Sequence, residues 1–347
     1  MRTFFIVAMF IGSILDSAPG QAAKPATLVD LAKYTSPNRE QILYEGAKKE
    51  GKIVWYTSLV PYKEIAKVFE TKYPGVKVEA YRASGRDIAP RVLTETQTRR
   101  YLVDVVETTP GALMVLRDNK ALLPYTSPYL ANYPDDAKED IAGGLVLWAS
   151  DRESYIGVGY NKNVIRSADV PKDFEDLLKP ALKDKMAIND DESSARLIGA
   201  MVKVKGEDFV RKLRGQDVVL QAVNSPGLNE LIVTGEVPLS FTAFNTNIGH
   251  SAAKGAPVVW VPMDLVVANA GSAAVSPYAQ HPHAAFLFVD FLLGPEGQKM
   301  LTEKFRYGSA SKEYGSKRWY PEKGLSTPEY LERTKKWLKL ITEITRK

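Results

Sequence analysis

The chain has 347 residues, 45% of them hydrophobic and 25% charged, which are ordinary values for a globular protein with a sizeable core and room for two domains. Its net charge of +5 comes from 46 basic against 41 acidic residues. The two signs intermingle, so the concentrated basic face of a nucleic-acid binder is missing and no such partner is expected. With no cysteine, the chain has no disulfide framework, no thiolate chemistry and no lipid-bearing cysteine.

Residues 1–22 read as a secretory signal: Arg2, an apolar run from Thr3 to Leu15, then Pro19, Gly20 and small residues at Ala22 and Ala23. The run is too short to span a bilayer comfortably. The mature protein is expected to be soluble and monomeric, in the periplasm or outside the cell. Its length of about 325 residues suits two domains of roughly 100–200 residues each.

After a helix-like stretch from Asn38 to Gly51, Lys52 to Thr57 reads as a strand dense in β-branched and aromatic residues. A helix is expected from Pro61 to Tyr73 with Ile65, Val68 and Phe69 inward, stopped by Pro74-Gly75. Strands at 76–81 and 104–107 alternate with helices at 85–100 and 111–117, a pattern of an open, mainly parallel α/β sheet. From Leu122 to Gly144 the prolines and the acidic DDAKED run read as surface turns.

Tyr155 to Asn161 reads as a strand whose Gly157 and Gly159 mark a bend or a close backbone approach, suited to crossing between domains. A second alternation follows: helix 174–178, strand 186–189, helix 192–204, strand 218–222, helix 227–234 and strand 237–241. Gly255 to Trp260 reads as the return crossing. One domain interrupted by another, with two connecting strands, is a hinge architecture. His281 to Leu301 then reads as two helices joined by Gly294-Pro295, with Ala285, Phe288, Val289 and Leu292 at helical spacing. The tail from Thr327 to Lys347 reads as a helix packed through Tyr330, Trp337, Leu338 and Ile341.

The wording of that hairpin, HPHAAFLFVDFLLGPEGQ, resembles the C-terminal signature of bacterial family 1 extracellular solute-binding proteins, nearest to the branch that includes ferric-iron-binding periplasmic proteins. Similar to the family as well are Tyr56-Thr57-Ser58, the DVVET stretch at 104–108, Gly159 to Lys162, Phe174 to Pro180, Gly235 to Leu239 and Gly255 to Pro257. The resemblance covers Gly51 to Leu301. It implies a two-lobe α/β periplasmic-binding-protein fold of type II, with lobe 1 over 23–153, lobe 2 over 154–259, and 260–347 returning to lobe 1 with the C-terminal helices. It also implies the substrate-binding component of an ABC importer, with a small-molecule solute and the membrane permease subunits as partners and no cofactor.

Ligands of open α/β sheets gather beyond the carboxyl ends of strands, near helix N-termini. Thr57, Ser58, Ser84, Gly85, Arg86, Thr108 and Thr109 hold such places in the first domain. Ser84 and Asp87 also have the form of a capping box, a purely structural role. In the second domain Ser193 and Ser194 open a helix that Asp190 or Asp191 would cap; the acidic run there lacks a calcium-loop pattern, and no metal is expected.

Relatives that resemble true ferric binders carry adjacent tyrosines where this chain has Phe244 and Asn245. Neither supplies a phenolate, so the family's usual iron binding is not expected, and iron through other ligands is the alternative. A pocket of Phe244, Asn245, Asn247, Tyr155 and Arg86 suits a small organic solute with a carboxylate or phosphonate-like group, which an Arg fork fits. Each aromatic could equally be core.

No Gly-x-Ser-x-Gly elbow, Walker loop or His-Glu-x-x-His stands in the sequence, and there are three histidines in all. A secreted enzyme using a carboxylate pair is the alternative of another class, and a receptor-docking sensor would share the same closure. The expectation is binding without catalysis.

Overall fold

The computed structural model describes residues 27–189, 191–310 and 318–346. The expected signal at 1–22 and Asp190 lie outside the described residues. Among these residues no helix is long and apolar enough to cross a membrane.

Helices α1 (Leu28–Lys33) and α2 (Arg39–Glu50) lead into β1 (Lys52–Thr57), and the expected alternation follows as α3 (Tyr62–Lys72), β2 (Lys77–Arg82), α4 (Gly85–Gln97), β3 (Val105–Thr108) and α5 (Pro110–Asp118). β1 lies between β2 and β3, parallel to both, with Thr57 opposite Arg82 on one side and Glu107 on the other. Both faces of β1 are covered, which is why Ile53, Trp55 and Tyr56 are all buried.

Residues 122–144 hold two 3-10 turns and a short strand, β4 (Lys138–Ile141), that the turn-rich sequence concealed. β4 pairs with β5 (Leu145–Asn161). The expected strand began at Tyr155; it starts at Leu145 instead and carries Asp151, Arg152 and Glu153 through the interior. Three consecutive charges carry no local strand signal, because their partners lie far away in sequence.

Next come β6 (Ala187–Ile188), α6 (Glu192–Lys205), α7 (Glu207–Lys212), β7 (Val218–Leu220), α8 (Ser225–Thr234), β8 (Leu239–Phe244), α9 (Asn245–Ala253), β9 (Val258–Val261) and β10 (Val266–Val275). The chain ends with α10 (Pro282–Leu293), α11 (Pro295–Lys299), β11 (Arg318–Trp319), α12 (Thr327–Ile344) and β12 (Thr345–Arg346). Where a helix was expected at 174–178 there is a single 3-10 turn, Glu175–Leu178.

The main sheet runs β2-β1-β3-β10-β5-β4. β5 passes out of it: Ala149 to Ile156 pair with β10, Ile156 to Tyr160 with β8, and Val158 to Asn161 with β9. A bridge from Met186 to Leu239 continues the pairing to the small β12-β7-β6 sheet. Gly157 and Gly159 allow this crowding, since a Cβ on Gly157 would lie 2.7 Å from the Trp260 ring and one on Gly159 2.6 Å from Ala243.

Two expectations are corrected here. Gly255 to Trp260 leads into β9, which pairs with the far half of β5; the return strand is β10, bonded to both β5 and β3. Its VVANAGSAAV sequence is almost wholly buried and shows no clear period. Residues 260–347 also do not all return to the first body. α12 lies along α6 and α7, and β12 extends β7. Its inward stripe is Tyr330, Trp337, Leu340, Ile341 and Ile344, with Leu338 only half-buried.

The α10–α11 hairpin forms as expected, with α10 buried from Ala284 to Leu293. Gly294 caps α10 in an extended conformation. A Cβ there would lie 2.8 Å from the Asp290 carbonyl and 2.9 Å from Tyr129, so close approach is what requires glycine. α10 packs on α2 and, through Phe288, on Trp55 and Phe69, forming the core on one face of the main sheet. The other face is covered by α4 and α5, and its core continues through Tyr330 and Trp337 to α6.

Candidate functional site

The carboxyl ends of β1 and β3 and the crossing part of β5 meet at a buried ionic cluster. Glu107, wholly buried at the end of β3, accepts from Thr57 Oγ1 at 2.5 Å, from the Ser58 amide at 3.2 Å and from Arg152 Nε at 3.1 Å. Arg152 Nη2 then donates to Ser58 Oγ at 2.9 Å. Thr57 and Ser58 therefore spend their side chains on the scaffold, and Thr57 is fully buried. Asp151 stands at the bulge of β5, between Ser150 and Arg152, where the register with β10 shifts. Burial and the nearby Glu107 push its carboxyl well above the usual aspartate range, with Arg152 opposing.

A second group gathers the first-domain candidates beyond the strand ends. α4 begins at Gly85, packed so closely on β3 that a Cβ there would lie 2.8 Å from Thr109 Oγ1 and 3.0 Å from Thr108 Oγ1. Thr109 is the N-cap of α5 and makes no side-chain cap bond. Thr108 is fully buried, and its Oγ1 has no hydrogen-bond partner among the described residues. Two helix N-termini thus converge on an unused hydroxyl, and such ends favour anions. Ser84 precedes α4 without the expected cap: its Oγ donates to Asp87 Oδ2 at 2.6 Å and accepts no backbone N–H. Arg86 is exposed at the same helix start.

Across from this group stands the N-terminus of α6. Asp191 caps it, accepting from the Ser194 amide at 2.9 Å and Ser193 Oγ at 2.5 Å, while Ser194 Oγ donates to Asn189. The Ser193 hydroxyl is thus committed to the cap and the Ser194 hydroxyl to Asn189. The next acid, Glu192, faces the first body. Its Oε1 accepts from Tyr330 Oη at 2.6 Å and Arg196 Nη2 at 3.0 Å, and lies 3.4 Å from where a Cβ on Gly111 would be. Burial alone would raise its carboxyl, but Arg196, Tyr330 and, at longer range, Arg86 outweigh that and hold it below the usual glutamate range. Arg196 is buried and also reaches Asn269 of β10 at 3.2 Å.

The remaining candidates sit at the strand crossing. The Tyr155 amide donates to Asn245 Oδ1 at 2.7 Å; its hydroxyl donates to Glu153 Oε2 at 2.9 Å and accepts from Arg318 Nη2 at 2.8 Å. Tyr320 also bonds Glu153. Phe244 caps the start of α9 and packs against the core, with Asn247 half-buried in the first turn of α9. Tyr155, Phe244 and Asn245 are thus brought together, as a junction between bodies. Arg86, expected with them, stands instead at the exposed start of α4, from where it acts on Glu192 only at longer range.

Sequence reasoning missed Glu192, Arg196, Glu107 and Arg152. Glu192 and Arg196 at i and i+4 on one helix were a legible pair. Glu107 and Arg152 had no local signal.

Comparison with known proteins gives one family: the model described as bacterial extracellular solute-binding protein matches residues 60–305. A search of curated proteins found no match. Among solved structures, iron-bound HitA from Pseudomonas aeruginosa is similar at 20% identity and TM-score 0.66, covering 84% of this chain and 99% of its own. The AfuA periplasmic binding protein from Actinobacillus pleuropneumoniae, with fructose-6-phosphate bound, matches at 20% identity and TM-score 0.64, over 85% of this chain and 99% of its own. The substrate-binding protein of an ABC transporter from Agrobacterium tumefaciens matches at 14% identity and TM-score 0.69, over 84% and 94%. The shared fold is the two-lobe α/β arrangement of type II periplasmic binding proteins.

Proposed function

The chain belongs to the bacterial extracellular solute-binding protein family, and from that premise we propose that it serves an ABC importer by binding a small anionic or polar organic solute between its lobes. We assign lobe 1 to the main-sheet body, lobe 2 to 154–259 together with α12, and the hinge to β5 and β10. Closure over solute would present one joined surface to the permease subunits. Transport then depends on solute stabilising the closed form over the open one, with no chemical step. The monomer would act in the periplasm after loss of the signal.

One observation carries this reading: the N-termini of α4 and α5 converge on the unpartnered, buried Thr108 hydroxyl, with Arg86 beside them and the lobe 2 helix α6 opposite. Preorganised N–H donors, a hydroxyl and a guanidinium suit a carboxylate or phosphate-type group. Iron is less favoured, because Phe244 and Asn245 at the end of β8 offer no phenolate. Native mass spectrometry of freshly purified protein tests the proposal. Retention of a small organic anion at one per chain supports it; ferric ion in the spectrum, or turnover of the retained compound, refutes it.

A further inference from the structure

Glu192 gives the cleft a second charge of opposite sign. It stands on α6 of lobe 2 and faces Gly111 in the first turn of α5. That turn begins immediately beyond Thr108 and Thr109, where the anion-favouring donors converge. One wall therefore offers helix N-termini, a free hydroxyl and Arg86; the other offers a carboxylate. Both bonds received by Glu192 land on Oε1, from Tyr330 and Arg196, and Oε2 accepts none among the described residues. Arg196 and Tyr330 are themselves buried, so the carboxylate is held in place rather than swinging in solvent.

Arg196 is the cation paired with Glu192 at 3.0 Å, and it is shared with Glu322 at 4.0 Å, so two carboxylates stand against one guanidinium and a simple anion entering this cleft meets a surplus of like charge, which is unfavourable. A solute carrying an ammonium group on that side meets a fixed carboxylate instead. Resting on the anion reading above, we propose that the site takes a zwitterion: its carboxylate or phosphate end lies at Thr108, Gly85 and Arg86, and its ammonium lies against Glu192. Gly111 follows Thr108 by three residues, through the extended Thr109 into the first turn of α5, a reach of at most roughly 10 Å, so the charges of the solute are separated by a short spacer. With solute absent, the Glu192 carboxylate itself faces the positive end of α5.

The test is calorimetric titration of the purified protein with two matched pairs: γ-aminobutyrate against butyrate, and phosphoethanolamine against ethyl phosphate. The wild type is expected to favour the amino member of at least one pair by tenfold or more, and the pair that binds tells carboxylate from phosphate. Glu192→Gln is expected to weaken the amino member about tenfold and to strengthen its amine-free partner severalfold. Equal binding within the pairs, or preference for the amine-free member, overturns the zwitterion while leaving the anion reading in place. Equal weakening of both members by Glu192→Gln also overturns it, since that is the signature of a merely structural residue. Should none of the four compounds bind, the anion reading falls and this proposal with it.

Discussion

Arg152 Nη2 donates to Ser58 Oγ at 2.9 Å, joining the crossing strand β5 to the loop after β1. The same guanidinium pairs with Glu107 and lies over the Tyr307 ring, so one side chain ties the crossing strand β5 to the end of β3. Removing it leaves the Glu107 carboxyl buried beside Asp151 without its partner guanidinium. Arg152→Ala is expected to lower stability by about 3–5 kcal/mol, the usual cost of orphaning a buried charge. Urea denaturation gives the number. A loss below about 1 kcal/mol, the range of exposed pairs, would show that the cluster is not held as described.

Asp151 predicts a pH dependence of definite sign. Burial first, and Glu107 second, raise its carboxyl above the ordinary 3.8. Above pH 3.8 the unfolded chain releases a proton that the folded protein keeps until its own higher pKa, so stability falls as pH rises through that window. Asp151→Asn removes the effect while keeping the shape. It is expected to be more stable than wild type at neutral pH, with the gain vanishing as pH falls below 3.8. Melting temperatures of the two proteins across pH 3–8 decide; a gain constant over the whole range would contradict the assignment.

The C-terminal helix makes its own prediction. A Cβ on Gly199 of α6 would lie 2.6 Å from the Trp337 ring of α12, so Gly199→Ala is expected to cost about 1–3 kcal/mol through overpacking. Trp337→Leu frees that space at its own cavity cost. The double variant should therefore be more stable than the sum of the singles predicts, by about 0.5–3 kcal/mol. Strict additivity in denaturant titrations would separate α12 from α6.

What the sequence made legible follows from the range of the interactions involved. β1, the end of α3 and the start of α6 fall where propensity and punctuation place them, because strand composition, Pro74-Gly75 and the Asp191 cap are local signals. The segment 145–154 was not legible as strand: Asp151, Arg152 and Glu153 look like a solvated turn until Glu107, Arg318 and Tyr320 are brought to them. The same limit applied at the site. Strand-end position drew attention to Thr108, Thr109, Gly85 and Arg86, which the fold gathers around the starts of α4 and α5. It could not tell that Thr57, Ser193 and Ser194 spend their hydroxyls inside the scaffold, nor that an acid within the run 190–192 turns toward the other lobe.

Thr108 and Arg86 separate binding from folding. The Thr108 hydroxyl is buried without a partner, a state that costs stability by about 1–3 kcal/mol unless a ligand satisfies it. Thr108→Val keeps the shape and removes that burden, so the solute-free protein is expected to be as stable as wild type or more so, while affinity for the bound anion falls about tenfold. Arg86→Ala touches an exposed side chain and is expected to leave the melting temperature nearly unchanged while weakening the anion roughly 10–100-fold, the worth of one charge-assisted contact. Calorimetry for affinity and thermal melts for stability, run on both variants, resolve the two effects. If Thr108→Val destabilised the solute-free protein and left affinity untouched, the hydroxyl would belong to the core and the anion would have to lie elsewhere in the cleft.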